Sequence, residues 1–254
     1  MFRSKLSGSR VLVIGGTSGM GFGVSKACVY EGSTVIIVSS KESRVASAIS
    51  RLKEANPNAQ VEGRVCNVGN ADDLESNVAQ LFDSIQGPLD HIVFTAGDEL
   101  AIGPVSGLSV PTIIQGGTVR FIAPLIIAKY AAERLTKSRS SSYTIVGGER
   151  SKRPTPGWAI PASYIAGLNG MVRALAMDLK PIRVNLVHPG AVKTEMWETL
   201  PEDVRNQAWE DIARRYPTGI IGSPDDVAEA FIYLMKDANS TGSVVHTNGG
   251  SLLV

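Results

Sequence analysis

The sequence predicts a doubly wound α/β domain, in which about seven parallel strands carry helices on both faces of one sheet. The chain has 254 residues, 43% hydrophobic and 19% charged, and this length suits one large core. Short runs rich in Val and Ile alternate with longer segments of helical apolar spacing, which is typical of a buried parallel sheet. The 26 glycines suit tight turns and close contacts between backbone and ligand. We therefore expect residues 1–254 to form a single domain.

Each expected element follows from its local pattern. Apolar, β-branched runs predict strands at residues 11–14, 34–38, 60–66, 91–94, 142–146, 182–187 and 242–246. Helical apolar spacing predicts helices at residues 19–31, 42–54, 71–85, 111–135, 162–179 and 225–235. The least regular segment, residues 193–223, contains Pro201 and Pro217. We expect this insertion, near the carboxyl edge of the sheet, to cover a substrate.

Charge and cysteine content exclude several functional classes. Lys and Arg total 25 and Asp and Glu total 24, so the basic excess of a nucleic-acid binder is missing. The two cysteines, Cys28 and Cys66, are too few for a disulfide framework, and with three scattered histidines they argue against a metal site. We expect both thiols to be buried and free. No apolar run approaches the ~20 residues of a membrane helix, and no signal peptide is apparent, so we expect a cytoplasmic protein without a membrane partner.

The first strand leads directly into a glycine-rich turn and then a helix. Such a turn presents backbone N–H groups and the positive end of the helix dipole to a pyrophosphate. The alternative is a purely structural turn, but strand, loop and helix come in the order that the dinucleotide motif requires. We therefore predict cofactor contacts from this turn, at Gly15, Thr17, Ser18, Gly19, Met20 and Gly21.

Several motifs together resemble the short-chain dehydrogenase/reductase family over nearly the whole chain. The glycine turn has the family's spacing, Thr95-Ala96-Gly97 stands where the family has Asn-Ala-Gly, and Asn248-Gly249-Gly250 resembles its C-terminal Asp-Gly-Gly. The resemblance implies a Rossmann-type fold, a nicotinamide dinucleotide, and a homodimer or homotetramer built on the helices at 111–135 and 162–179. It also implies cofactor contacts from Ala96 and Gly97 and from a Pro-Gly segment beside the nicotinamide carboxamide, namely Pro189, Gly190, Val192 and Thr194.

The end of the second strand predicts which dinucleotide binds. An acidic residue there would hold the ribose 2′-hydroxyl of NAD. Here the strand ends in Ser39-Ser40-Lys41, the first carboxylate is Glu42, and Arg44 is close by. Two hydroxyls and a cation favour the 2′-phosphate of NADP(H), and the alternative is that Lys41 and Arg44 are ordinary solvated charges at a helix start. Asn67-Val68 stands where the family has its adenine-contacting Asp-Val.

The catalytic tetrad of the family is missing. The family uses a Tyr as proton donor, a Lys four residues later, a Ser before the Tyr and an upstream Asn, yet none of the six tyrosines has a Lys four residues later. Counting back from the helix at 170–176, which resembles the family helix, places Pro161 at the Tyr position and Ile165 at the Lys position. The fifth strand then places Gly148 at the Ser position, and the long helix places Arg120 where the Asn belongs. Tyr164 lies one helical turn from Pro161 but has no lysine partner, so we expect it to be a poor acid–base group.

Loss of the tetrad disfavours ordinary ketone or alcohol chemistry, because carbonyl reduction develops alkoxide charge that needs a proton donor. Reduction of an iminium escapes this demand, and a cyclisation needs mainly a shaped, dry pocket. This pattern, together with the segment Arg153-Pro154-Thr155-Pro156-Gly157-Trp158, resembles atypical fungal members of the family. These include bifunctional reductase/Diels–Alderases of bicyclic indole-alkaloid biosynthesis.

Arg120 and Trp158 are the predicted catalytic residues. Arg120 would place a cation beside the nicotinamide or the phosphates and orient a substrate carbonyl, and the alternative is a structural ion pair with Asp98, Glu99 or Glu149. Trp158 would offer a wall to an aromatic substrate, and the alternative is core packing.

The function we expect is that of an NADP(H)-dependent reductase acting on an iminium or similar electrophile in a bulky, aromatic, alkaloid-like small molecule, with a coupled Diels–Alder cyclisation. A cofactor-independent cyclase or isomerase and a catalytically inactive NADP-binding protein remain alternatives. His188 either lines the pocket or is structural, and the latter is commoner for a lone histidine.

Overall fold

Residues 4–254, which the computed structural model describes, contain seven strands in one parallel sheet. Across the sheet the strands lie in the order β3-β2-β1-β4-β5-β6-β7, so the strand order reverses between β1 and β4, although these two strands are parallel. Ligands of doubly wound sheets bind outside the carboxyl ends of the strands at such a reversal. The strands are β1 (Arg10–Ile14), β2 (Thr34–Ser39), β3 (Val61–Val65), β4 (His91–Phe94), β5 (Ser142–Val146), β6 (Arg183–Pro189) and β7 (Val244–Thr247).

Helices cover both faces of the sheet. α1, α2 and α8 lie on one face, and α3, α5 and α6 lie on the other. Their bounds are α1 (Gly19–Tyr30), α2 (Glu42–Ala55), α3 (Leu74–Asp83), α4 (Val110–Gly117), α5 (Ala123–Arg134), α6 (Ala159–Asp178), α7 (Glu202–Arg215) and α8 (Pro224–Lys236). The predicted α/β class, with a parallel sheet between two helical layers, is confirmed.

Alternation along β1 shows why both layers are needed. Leu12 and Ile14 belong to the core on the α3–α5–α6 side, whereas Val11 and Val13 belong to the core on the α1–α2–α8 side. Successive side chains of a strand point to opposite faces, so a strand with four consecutive buried apolar residues requires cover on both. The buried free thiols of Cys28 and Cys66 are confirmed and lie one in each core.

The single long helix predicted at residues 111–135 is instead three helical segments. α4 ends at Gly117, a π-helical turn spans Thr118–Ile122, and α5 begins at Ala123. Pro124 in the first turn of α5 has no N–H to donate to the carbonyl four residues before it, which belongs to Arg120. The π-helical turn therefore contains Arg120, and such turns are frequent at functional sites.

The irregularity predicted for residues 193–223 is wrong in part, because the 14-residue helix α7 lies within them. Its flanking prolines are compatible with it, since Pro201 is the N-cap and Pro217 follows the last turn. Whether this segment covers a substrate stays a prediction.

One helical stretch, Val110–Arg134, is long and apolar enough to cross a membrane by length and composition, with a mean hydropathy of 1.4. The same stretch contains the π turn, and its α5 portion packs on α3 and β5. Core helices of soluble proteins commonly have this composition, so the property does not distinguish the two environments.

Candidate active site

The glycine turn after β1 is held by close backbone packing. Gly15 has a φ of +86°, and a Cβ there would lie 2.5 Å from the backbone nitrogen of Ala96. A Cβ on Gly21 would lie 2.1 Å from the carbonyl oxygen of Gly15. Glycine is therefore required at both positions so that the turn, α1 and the end of β4 can pack together. With this packing, the amino end of α1 borders the cavity at the carboxyl edge of the sheet.

A cavity lies at the carboxyl ends of β1, β2 and β4, at the reversal of strand order. Most residues predicted to bind cofactor line it, and they come from six separate segments of the chain. The predicted residues that line the cavity are Gly15, Thr17, Ser18, Gly19, Met20, Gly21, Ser39, Ser40, Asn67, Val68, Ala96, Gly97, Arg120 and Thr194.

Four residues predicted to contact the cofactor do not line this cavity. Lys41 is the N-cap of α2, and Pro189 is the buried last residue of β6. Gly190 N–H donates to the Thr247 carbonyl, and Val192 is buried beside Gly222. Their role as cofactor contacts stays a prediction.

The end of the cavity next to β2 carries a cation that the prediction did not select. Arg44, in the first turn of α2, lines the cavity together with Ser39 and Ser40, whereas Lys41 does not. The exposed guanidinium has no carboxylate partner among the ion pairs of residues 4–254. It is thus available to a phosphate.

Arg120 reaches the opposite end of the cavity. Its guanidinium packs against Gly97, where a Cβ would lie 3.0 Å from Nη1, and its Nη2 donates to the carbonyl of Asp98. Its Nε lies 3.3 Å from Oδ1 of Asp98. Of the three carboxylates weighed as ion-pair partners, the structure selects Asp98, while Arg120 still lines the cavity. Burial lowers the pKa of Arg120 and raises the pKa of Asp98, and each charge partly offsets the effect on the other.

Two positions assigned to the tetrad by counting come together in the structure, but they carry no acid or base. A Cβ added at Gly148 would lie 3.8 Å from Cδ1 of Ile165, so the Ser and Lys positions of the family face each other here. Pro161 and Ile165 are both buried in α6. The spatial match supports the register obtained from the sequence.

Tyr164 is engaged elsewhere. Its hydroxyl donates to the carbonyl of Ile113 at 3.0 Å, and its ring lies against Phe121 at 5.3 Å between centroids. A Cβ on Gly117 would lie 2.3 Å from this ring, so α4 and α6 approach each other around it. Tyr164 does not line the cavity and has a packing role.

His188 is structural and fills the space beside the end of β5. The Gly148 N–H donates to its Nδ1 at 2.7 Å, and its Nε2 lies 3.3 Å from Oδ1 of Asn169. A Cβ on Gly147 would lie 2.8 Å from Cε1 of the ring. Burial lowers the pKa of His188 to about 4.

Trp158 is half-buried at the N-cap of α6 and does not line the cavity. The guanidinium of Arg150 lies 5.9 Å from the centre of its indole ring. Its predicted catalytic role stays a prediction. Among residues 4–254, no group of three or more His, Cys, Asp or Glu side chains is arranged to hold a metal.

Glu195 is a cavity residue that the prediction missed. Gly19 N–H at the start of α1 donates to Oε2 of Glu195 at 2.8 Å. The contact joins residues 176 positions apart. Its only sequence signal is that Glu195 follows Thr194, the last residue of the Pro-Gly segment.

A family model described as "SDR-like rossmann domain" matches residues 2–254. The chain belongs to the short-chain dehydrogenase/reductase family. It is 48% identical to the short-chain dehydrogenase/reductase fsr5 of Gibberella fujikuroi, over 98% of this chain and 97% of that protein. It is 37% identical to the short-chain dehydrogenase/reductase malC of Malbranchea aurantiaca, over 99% of this chain and 97% of that protein.

Solved structures agree with this assignment. The MalC reductase/Diels-Alderase of Malbranchea aurantiaca superposes with a TM-score of 0.94, at 36% identity and over 99% of both chains. A small-chain dehydrogenase in complex with NADPH superposes with a TM-score of 0.80, at 25% identity over 98% of this chain and 100% of that chain. The family resemblance, including its fungal members, and the nicotinamide dinucleotide cofactor are confirmed.

Proposed function

We propose that this protein is an NADP(H)-dependent reductase that delivers hydride to a carbon already activated by positive charge, such as the carbon of an iminium. The observation that carries the proposal is the contrast within one crevice. The glycine turn and its helix are built to hold a dinucleotide, whereas Gly148, Pro161 and Ile165 supply no proton donor where the family has one.

The residues present fit the dinucleotide. The glycine turn leaves the N–H of Gly19 at the amino end of α1, where a phosphate oxygen is favoured by both hydrogen bonding and the helix dipole. Ser39, Ser40 and Arg44 supply two hydroxyls and a cation at the far end of the cavity. No carboxylate lines that end, so the ribose 2′-phosphate of NADP(H) is favoured over the free hydroxyl of NAD(H).

The missing proton donor selects the substrate chemistry. When bound, the reduced cofactor supplies the hydride. In an iminium the electron pair of the C=N bond moves to nitrogen as the new C–H bond forms, and the neutral amine that results needs no proton from the protein. A ketone would instead develop an alkoxide, and Gly148, Pro161 and Ile165, at the positions of the family's acid–base groups, offer it no proton.

Arg120 is proposed to orient the substrate. Its guanidinium lies at the cavity end next to Gly97, held by the ion pair with Asp98. Its remaining N–H groups suit a carbonyl oxygen of the substrate, while the Asp98 carboxylate keeps the local charge near neutral. A cationic substrate is therefore not repelled by an uncompensated arginine.

A coupled cyclisation is the second candidate function. The likeness to the MalC reductase/Diels-Alderase over 99% of both chains favours it. Such a step requires a shaped apolar wall that holds the substrate folded, and we propose that Trp158 contributes it. This role requires a substrate that extends from the crevice to the amino end of α6.

The reductase proposal is tested with a matched pair of substrates. A 3,4-dihydroisoquinolinium salt and 1-tetralone share a bicyclic skeleton but differ in the activated group. With NADPH deuterated at the transferring position, we expect deuterium in the tetrahydroisoquinoline product by mass spectrometry and no alcohol from 1-tetralone. Equal reduction of both compounds, or amine formed without deuterium, would contradict the proposal.

The site assignment is tested by variants assayed for both hydride transfer and NADPH binding. Arg120→Ala is expected to lose hydride transfer and retain NADPH binding. Because this change leaves the Asp98 carboxylate unpaired, the double variant Arg120→Met/Asp98→Asn serves as a second version with the charge pair removed. Trp158→Ala should reduce turnover of bulky substrates more than that of the small iminium. Full activity in all variants would contradict the assignment.

We also propose a homo-oligomer through α4, α5 and α6. Large apolar side chains are exposed on α4 and the segment before it, including Val105 at 73%, Val110 at 69% and Ile114 at 47%. Apolar side chains clustered at a surface are typical of an interface. A mass measurement in solution tests this, and a monomer at micromolar concentration would contradict it.

A further inference from the structure

The carboxylate of Glu195 occupies the amino end of α1. Gly19 N–H donates to Oε2 at 2.8 Å, and a Cβ on Gly19 would lie 3.3 Å from Cγ2 of Thr194. The chain at 194–195 is thus seated directly on the first turn of the helix. A side-chain anion lies where the proposed function requires a phosphate.

α1 has no other anion at this end. Its N-cap, Ser18, makes no side-chain cap hydrogen bond, and the first turn contains no acidic residue. The amino end of a helix attracts negative charge, and a charge-assisted hydrogen bond to a backbone N–H is among the stronger ones. Glu195, from a distant part of the same chain, therefore supplies the N-terminal cap that α1 lacks.

A second cavity lies on the other side of Glu195. Gly19, Thr194 and Glu195 line both cavities, so this carboxylate stands at the boundary between them. Lys193 and Arg205 line the second cavity, 5.0 Å and 5.3 Å from the centre of the Trp209 ring. Within residues 4–254, neither cation forms an ion pair with a carboxylate.

We propose that Glu195 is a displaceable latch, which competes with a phosphate of the dinucleotide for the amino end of α1 and moves toward Lys193 and Arg205 when that phosphate binds. The proposal rests on the proposed dinucleotide function. It adds that the affinity for the cofactor is set partly by a carboxylate of the chain itself. It also couples cofactor binding to the turn at Glu195–Thr199, which connects the crevice to α7.

Trp197 reports on this turn. Its Nε1 donates to the carbonyl of Val192 at 2.9 Å, and its ring lies 6.4 Å from that of Trp209 in an edge-to-face arrangement. Release of Glu195 changes the surroundings of Trp197 without requiring any chemistry. The position of the latch can therefore be observed without an activity assay.

The first experiment measures the Kd of inorganic pyrophosphate by calorimetry for the wild type, Glu195→Gln and Glu198→Gln. Glu198 is the matched control, since it lies in the same turn and lines only the second cavity. We expect Glu195→Gln to bind pyrophosphate about two- to fivefold more tightly, as expected when a competing charge at a helix end is removed. Glu198→Gln should match the wild type. Equal affinity in all three proteins, or an equal gain in both variants, overturns the latch.

The second experiment repeats the titrations with NADPH and adds Lys193→Met and Lys193→Met/Glu195→Gln. Lys193→Met removes a cation toward which the Glu195 carboxylate is proposed to move. It should therefore weaken NADPH binding by about twofold or more when Glu195 is present, and should have no effect in the Glu195→Gln background. Independent, additive effects overturn the proposal. Fluorine NMR of 5-fluorotryptophan-labelled protein, assigned with Trp197→Phe, should show the Trp197 resonance of unliganded Glu195→Gln shifted toward its NADPH-bound position.

The two probes separate this inference from the proposed function. If pyrophosphate responds to Glu195→Gln but NADPH binds none of the proteins, competition for the amino end of α1 stands, whereas the reductase proposal and the coupling of the latch to the dinucleotide both fail. If NADPH binds the wild type and Glu195→Gln equally, the reductase proposal stands and the latch fails.

Discussion

Glycines border the crevice at two places, after β1 and after β5, and the space that they leave is used in opposite ways. At Gly15 and Gly21 the missing side chains let the backbone of the turn, α1 and β4 come together, and the helix end faces an open cavity. Beside Gly147 the space is filled by the imidazole ring of His188, and beside Gly148 it is bordered by the side chain of Ile165. One region keeps the geometry for binding a dinucleotide, whereas the other has been repacked where the family keeps its acid–base groups. The comparison predicts that dinucleotide binding by this chain does not depend on the acid–base groups of the family.

The sharpest way to break this comparison is to add the same methyl group to each region. Gly15→Ala places a Cβ 2.5 Å from a backbone nitrogen at a φ of +86°, so the turn must shift. We expect a loss of about 3 kcal/mol or more of stability and at least a hundredfold weaker NADPH binding. Gly148→Ala places its Cβ 3.8 Å from Ile165 and should change neither quantity much. Urea unfolding and calorimetry measure both, and similar losses in the two variants would contradict the distinction.

The repacked region should reveal itself through the pH dependence of stability. Burial lowers the pKa of His188 to about 4, below its unfolded value of about 6.5, so protonation favours the unfolded chain as the pH falls through this window. Between pH 7 and pH 5 this residue alone should reduce the free energy of unfolding by about 2 kcal/mol. Above about pH 7.5 the stability should not depend on its protonation. The ring of His246, stacked 5.4 Å from that of His188, and the charge of Lys152 lower the pKa further, whereas the hydrogen bond with Gly148 raises it.

Urea unfolding of the wild type and His188→Gln at pH 7 and pH 5 measures this contribution. The variant should be less stable at pH 7, because it loses the ring contacts with Gly148, but its stability should fall less on acidification. His91, with a pKa lowered by burial to about 3, contributes equally in both proteins. Parallel pH profiles for the two proteins would show that His188 does not titrate as described.

The next prediction concerns the end of the cavity lined by Ser39, Ser40 and Arg44, where the 2′-phosphate is proposed to bind. Arg44 lines the cavity and Lys41 does not, so Arg44→Ala should weaken NADPH binding about tenfold and leave NADH binding unchanged, as expected for loss of a charge-assisted contact. Lys41→Ala is the matched control, three residues earlier in the chain, and should have a smaller effect. The preference for NADPH over NADH is the quantity to compare. A larger effect at Lys41 would restore the original sequence assignment.

How far the sequence predicts the molecule differs between these regions. The strands after which the cofactor motifs lie were predictable because buried parallel strands are continuous β-branched runs, and the bounds of β4 and β5 agree with prediction to the residue. α7 was missed although Val204, Ala208 and Ile212 recur at helical spacing, because charged and polar residues dominate the segment and none of its side chains is fully buried. Its bordering prolines indicated a break instead of a boundary.

Within the site, local patterns were predictable and long-range contacts were not. The glycine turn is contiguous in sequence, and so its residues could be assigned together. Whether Arg44 or Lys41 faces the cavity depends on the residue at which α2 begins. Moving that start by one residue turns every following side chain by about 100° around the helix axis. The contact of Glu195 with Gly19 joins two connections far apart in the chain, and only the fold brings them together.

The smallest expected effect concerns Tyr164, which lies one helical turn from Pro161 in α6. Tyr164→Phe removes the hydrogen bond to the Ile113 carbonyl but keeps the ring that fills the space beside Gly117, so we expect a stability loss of about 1 kcal/mol and no change in hydride transfer. A tyrosine acting as general acid would instead lose about a hundredfold or more in rate. Urea unfolding and single-turnover assays on the same preparation give both numbers. A large loss of rate at full stability would return a proton donor to α6, and it would remove the physical reason for preferring an iminium to a ketone as the substrate.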